Sequence, residues 1–131
     1  MAQPELESGY IRTTQTNGVL RLTIDRADKR NALTGAMYAD MQRVADHART
    51  DDDVRTLLID SAGDMFCAGN DIGDFANATP ESRAESGGGP AMKFIKALIA
   101  LDKPILIAVQ GQATGIGTTM LLHADLVIAN E

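Results

Sequence analysis

Twice along this chain a short apolar run leads into a turn rich in glycine and small residues. Leu57-Leu58-Ile59 precedes Cys67-Ala68-Gly69-Asn70-Asp71, and Ile105–Val109 precedes a turn over Gly111–Gly117. Such runs suit strands covered on both faces. Glycine then lets the backbone curl and lets a ligand approach it closely. The first turn exposes N–H groups around Ala68–Asp71. The second precedes a helical stretch, so its N–H groups lack intrahelical partners and favour negative charge. Two such sets of donors converging on one point would hold an oxyanion forming on a carbonyl. Taken singly, each glycine is an ordinary turn residue. The Gly-x-x-x-Gly-x-Gly pattern is neither the dinucleotide fingerprint nor a P-loop, since no lysine follows it.

The rest of the chain arranges itself around these turns as an α/β protein. Tyr10–Gln15 and Val19–Ile24 are rich in β-branched residues and flank Asn17-Gly18, a pair suited to a tight hairpin. Leu20, Leu22 and Ile24 alternate with polar residues, so one face of that strand is buried. Thr34 reads as a helix N-cap. Met37, Met41, Val44, Ala45 and Ala48 follow at helical spacing, and the helix ends near Thr50. Asp51-Asp52-Asp53 reads as a solvated turn before a strand over 54–60. Residues 75–89 are polar, small and glycine-rich, and are expected to form a lid. Pro90 suits the first position of the next helix, whose buried stripe is Phe94, Ile95, Leu98, Ile99 and Leu101 until Pro104 stops it. A short helix over 118–123 and a strand over 125–129 complete the order. A chain ending at a strand is expected to be part of a longer protein.

Charge and cysteine content narrow the function. With 131 residues the chain suits one domain with a real core. Its formal net charge of -6 argues against nucleic acid, whose phosphates want clustered Lys and Arg. It leaves room for a phosphate-bearing ligand held by a few local cations. The single cysteine, Cys67, permits no intrachain disulfide, and no metal-binding Cys/His motif is present. The N-terminus lacks the basic and apolar regions of a signal peptide, and no apolar run is long enough to span a membrane. A cytoplasmic protein with no membrane partner is expected.

Three segments carry a family resemblance. Residues 54–75, VRTLLIDSAGDMFCAGNDIGDF, and 103–129, KPILIAVQGQATGIGTTMLLHADLVIA, resemble the two signatures of the enoyl-CoA hydratase/isomerase (crotonase) family. Lys29–Thr34, KRNALT, resembles the segment that approaches coenzyme A there. Members are about twice this long, so residues 1–131 correspond to the N-terminal part of a single crotonase-like domain. The resemblance implies a ClpP/crotonase spiral of β-β-α units, truncated here, and an assembly of trimers or hexamers. It also implies an acyl-CoA thioester as partner, with coenzyme A entering as part of the substrate and no separate cofactor. By position, the oxyanion donors are the N–H groups of Asn70 and Ile116. Ile stands at 116 where many relatives have Gly, which is chemically acceptable if the local φ suits a β-branched residue. Ala68, Gly69, Asp71, Ile72, Gly115 and Thr119 would line the path of the coenzyme and thioester, with Ala32 in the same groove. Lys29 or Arg30 would pair with a phosphate.

One departure matters for the reaction. Family hydratases use two glutamates, and the position of the first is Thr119. A threonine hydroxyl is no general base near neutral pH without an activating neighbour. The second would fall beyond Glu131. A family isomerase works with one downstream carboxylate, so the sequence favours isomerase over simple hydratase. A non-catalytic acyl-CoA-binding or assembly module with an incomplete site is the alternative. Hydrolysis, dehalogenation or decarboxylation of another acyl thioester also stays open. Cys67 reads as a small buried residue, having no basic neighbour in sequence. His47 and His123 read as surface or helix-end residues. Asp71 reads first as a cap or turn residue.

Overall fold

The computed structural model describes residues 3–77 and 89–131. One five-stranded sheet, in the order β1-β2-β3-β4-β5, forms its spine. Strands β1 (Ile11–Thr16) and β2 (Val19–Ile24) form the antiparallel hairpin, and β3 (Thr56–Ser61), β4 (Ile105–Val109) and β5 (Leu126–Ala129) add in parallel. Asn17 and Gly18 both take positive φ, 53° and 83°, as a two-residue hairpin turn requires. The third strand starts two residues later than its apolar pattern suggests. The N–H groups of Arg55 and Thr56 both bond to the Gly18 carbonyl, so the ladder opens only where Thr56 meets Val19.

Two helices cover one face of this sheet. Helix α1 (Gly35–Thr50) is capped by Thr34, whose hydroxyl accepts from the Met37 N–H, and buries Met37, Met41, Val44, Ala45 and Ala48. After the first glycine turn comes a short helix α2 (Ile72–Ala76), and α3 (Gly89–Ala100) then packs beside α1. Rows of paired residues such as Leu20–Leu57–Ile105 and Leu22–Ile59–Ile107 run across the sheet beneath them. The last connection is a single-turn helix α4 (Ile116–Thr119) followed by a 3-10 turn over Met120–His123, where one helix over 118–123 was expected.

Several expectations change with tertiary context. The residues 75–89 read as a lid divide: α2 takes the first two, Gly89 opens α3, and 78–88 lie outside the described residues. In α3 the buried stripe is Phe94, Ile95, Ala97 and Leu98, while Ile99 points outward and is 64% exposed. Strand β3 is covered fully on one face only. Leu57 and Ile59 are sealed, but Leu58 is half-buried on the face that carries Arg12, Thr14, Arg21 and Asp60. His47, read as a surface or helix-end residue, does lie in the last turn of α1, but it and Asp51, read as solvated, are only 7% and 3% exposed. They pair at 3.2 Å where the end of α1 meets β1, and Gln15 donates to the same Asp51 carboxylate. Lys103 closes this corner by donating to the Ala48 and Asp51 carbonyls at 2.6 and 2.9 Å. No helix among the described residues is long and apolar enough to cross a membrane.

Candidate functional site

The first glycine turn is built on the approach to α1. Leu33 donates its N–H to the Gly69 carbonyl, and its own carbonyl accepts from the Asp71 N–H, both at 2.8 Å. This parallel bridge flanks Asn70 on both sides and turns the Asn70 N–H away from Leu33. The Ala68 N–H is also occupied, by the Arg30 carbonyl at 3.1 Å, and the Gly69 N–H points at the Cys67 sulfur at 3.4 Å. Among the described residues the Asn70 N–H meets no acceptor.

The second turn ends on Gly115, whose φ 59° and ψ -123° are open to glycine alone. That strain sits one residue before Ile116, which is already the first residue of α4, so the β-branched side chain is accommodated. The next N–H groups are taken: Gly117 bonds to Thr114, and Thr118 and Thr119 both bond to Gly115. Among the described residues the Ile116 N–H meets no acceptor.

The two turns touch through their glycines. A methyl group on Gly69, itself at φ 91°, would lie 3.1 Å from the Thr114 carbonyl oxygen, and one on Gly115 would lie 3.7 Å from the Gly69 Cα. Thr114 and Cys67 also bond across the gap, and Cys67 pairs with Ala113. Each of these glycines immediately precedes one unpartnered N–H. Two backbone donors are thus presented from neighbouring points on turns that hold each other in place.

The segment Lys29–Thr34 runs beside the first turn and supplies the Arg30 and Leu33 partners just described. Arg30 and Asn31 both adopt left-handed backbone, φ 53° and 59°. Lys29 and Arg30 are exposed, and neither forms an ion pair with a described residue. Arg30 lines a shallow groove with Ala27, Gly63, Asp64 and Met65. Ala32 and Ala68 are half-buried, Gly69 is buried, and Ile72 at the start of α2 is 84% exposed. The site residues expected from the sequence therefore lie close together along these segments.

Asp71 is more constrained than the rest. Its carboxylate accepts from the Asp74 N–H at 2.9 Å, capping α2, and pairs with Arg26 at 2.8 Å. The Asp74 N–H and then Arg26 hold that carboxyl below its usual range. Arg26 also reaches the Ala32 carbonyl and lies over the Tyr10 ring. The sequence reading missed Arg26, and it missed Asn31, whose fully buried carboxamide donates to the Ala62 and Met65 carbonyls and accepts from the Arg26 N–H. Only the left-handed tolerance of asparagine hinted at the second.

Thr119 is exposed and donates its hydroxyl to the Gly115 carbonyl at 3.2 Å. No described group activates it. Cys67 is fully buried, and burial pushes its thiol pKa up, which suits packing and not attack. His123 ends the 3-10 turn, half-buried. Among the described residues no three His, Cys, Asp or Glu side chains gather to hold a metal ion.

Comparison with known proteins adds a second line. Residues 14–131 match the family model described as enoyl-CoA hydratase/isomerase. Enoyl-CoA delta isomerase 2 of Rattus norvegicus is 35% identical over 127 residues, covering 95% of this chain and 32% of the relative. The 1,2-epoxyphenylacetyl-CoA isomerase of Escherichia coli K12 is 35% identical over 124 residues, covering 92% and 47%. The crystal structure of an enoyl-CoA hydratase/isomerase from Pseudoalteromonas atlantica superposes with a TM-score of 0.82 at 38% identity, covering 92% of this chain and 46% of the other. The chain spans about a third to a half of the length of the relatives it matches.

Proposed function

The chain belongs to the enoyl-CoA hydratase/isomerase family and carries part of its crotonase-like fold, and on that premise we propose that it supplies the oxyanion hole of an acyl-CoA isomerase. The observation that carries this reading is the pair of N–H groups at Asn70 and Ile116 that meet no acceptor among the described residues, each set after a glycine at the contact of the two turns. A thioester carbonyl placed between them accepts two hydrogen bonds. Removal of a proton beside that carbonyl moves negative charge onto its oxygen, where both donors strengthen. Backbone N–H groups need no side-chain reorganisation as that charge appears.

Lys29 and Arg30 take the coenzyme phosphates, being exposed cations beside the first turn. Ala32, Ala68, Gly69, Ile72 and Gly115 form the path between. Asp71 serves there as a loop clamp, its charge being engaged by Arg26. Coenzyme A is part of the substrate, and no further cofactor is invoked. Thr119 supports isomerisation over hydration, because its hydroxyl cannot replace a water-activating glutamate. The names of the rat and Escherichia coli relatives point the same way. This reading assigns no proton-moving carboxylate among the described residues, and trimeric assembly in the cytoplasm accompanies it.

Thr119 also favours a second reading, in which the 131-residue chain binds acyl-CoA without turning it over. Calorimetric titration with crotonyl-CoA, followed by assays of hydration and of 3-enoyl-CoA isomerisation, tests the acyl-CoA binding that both readings require. Saturable heat without turnover by this chain fits the hole without its base. Absence of saturable heat removes both readings, and robust turnover by this chain alone removes the argument about the missing base.

A further inference from the structure

We infer that Tyr38 is a positioning residue for the Asn70 donor, an inference that rests on the oxyanion-hole reading above. Asn70 is an exposed residue, yet its side-chain oxygen accepts a hydrogen bond from the Tyr38 hydroxyl. Tyr38 itself is only 3% exposed. It sits in the first turn of α1, just after the Thr34 cap. Helical side chains lean toward the helix N-terminus, which is where Leu33 bridges Asn70. One helix end therefore holds the turn twice, by backbone through Leu33 and by side chain through Tyr38.

The Tyr38 ring has a fixed seat, tilted against fully buried Phe94 at 6.3 Å between centroids. Burial keeps the phenol protonated, so it remains a hydrogen-bond donor. Asn70 can accept this bond only with its carboxamide drawn in toward α1. Its side-chain oxygen is then committed to α1, while its backbone N–H meets no acceptor among the described residues. Neither the parallel bridge nor the Gly69 backbone fixes rotation about the Asn70 side chain. The tyrosine does, and it couples the position of that donor to the core.

The test uses acetoacetyl-CoA, whose enolate absorbs in the near ultraviolet and needs no enzymatic base to form. Bound to this chain, it ionises at lower pH in proportion to the oxyanion stabilisation it receives. Tyr38→Phe removes the hydroxyl, and Asn70→Ala breaks the same bond from the exposed side while keeping the N–H. Each variant is expected to weaken enolate stabilisation about ten-fold, against ~10²–10³ for outright loss of a donor. Butyryl-CoA affinity stays within about two-fold, because ground-state binding draws less on the alignment of one donor. The double variant loses no more than either single one. A merely structural tyrosine would instead lower the melting temperature and the affinity for both ligands together. Enolate stabilisation that survives Tyr38→Phe, or losses that add in the double variant, overturns the inference alone. A wild-type chain that leaves acetoacetyl-CoA ionisation unchanged overturns the oxyanion reading and the inference with it.

Discussion

Replacing Asn31 by Ala tests how the loop beside the glycine turns is held. The side chain makes three hydrogen bonds: to the Ala62 and Met65 carbonyls at 2.7 and 2.8 Å, and from the Arg26 N–H at 2.8 Å. All three partners belong to half-buried residues, so each loss is set near the lower end for an unpaired group, about 1 kcal/mol. Asn31 also sits at φ 59°, where Ala lacks the local side-chain bond that makes the left-handed region tolerable, adding about 1 kcal/mol. The expected destabilisation is about 4 kcal/mol, a large share of the roughly 5–15 kcal/mol that holds a domain together. With a urea slope near 2 kcal/mol per molar, the unfolding midpoint falls by about 2 M at unchanged slope. Asn31→Gly removes the same bonds without the Cβ and should recover about 1 kcal/mol of the loss. Urea titrations followed by circular dichroism read both variants. A loss below about 1 kcal/mol for Asn31→Ala refutes the latch. A Gly variant no better than Ala refutes the backbone part of the argument.

Two further perturbations probe the turns. Because the Asp71 carboxyl is held below its usual range, it contributes stability that is present above the unfolded value, about 3.9, and lost as pH falls through the folded one. The stability gap between wild type and Asp71→Asn should therefore be widest near neutrality and close in acid, as read by denaturation at a series of pH values; a gap independent of pH contradicts the Arg26–Asp71 clamp. A Cβ on Gly117 would stand 2.8 Å from the Cys67 Cβ and 2.9 Å from its carbonyl oxygen. Gly117→Ala should thus cost about 1–3 kcal/mol by forcing the two turns apart, a fall of about 4–12 °C in melting temperature; an unchanged melt would show that the turns do not pack as described.

Much of this architecture is local and so readable along the chain. Asn17-Gly18 takes the backbone its chemistry prefers, and Thr34 caps the helix that Met37, Met41, Val44 and Ala45 bury. The glycine turns announce themselves because only glycine enters the region Gly115 occupies. The groups that hold those turns were less visible. Arg26 meets Asp71 across 45 residues, Asn31 meets Met65 across 34, and Tyr38 meets Asn70 across 32. No local periodicity encodes such pairs, and Tyr38 stands next to the apolar stripe it resembles. His47 and Asp51 misled for the same reason: a polar run at a helix end reads as solvated until a strand and Lys103 close over it. The reaction is harder to read still, since the proposed hole is backbone and carries no side-chain signature.

The central claim is that the Ile116 N–H is a working donor, and Ile116→Pro tests it most directly. Proline removes that N–H together with part of the half-buried Ile116 side chain that packs against the core, while Ile116, as the first residue of α4, tolerates a fixed φ and loses no described acceptor. Ionisation of bound acetoacetyl-CoA is the readout, with circular dichroism confirming the fold. The account predicts enolate stabilisation weakened by ~10²-fold or more in a variant that stays folded, its melting temperature lowered only by the lost Ile116 packing. A folded Ile116→Pro variant that stabilises the enolate as well as the wild type contradicts it.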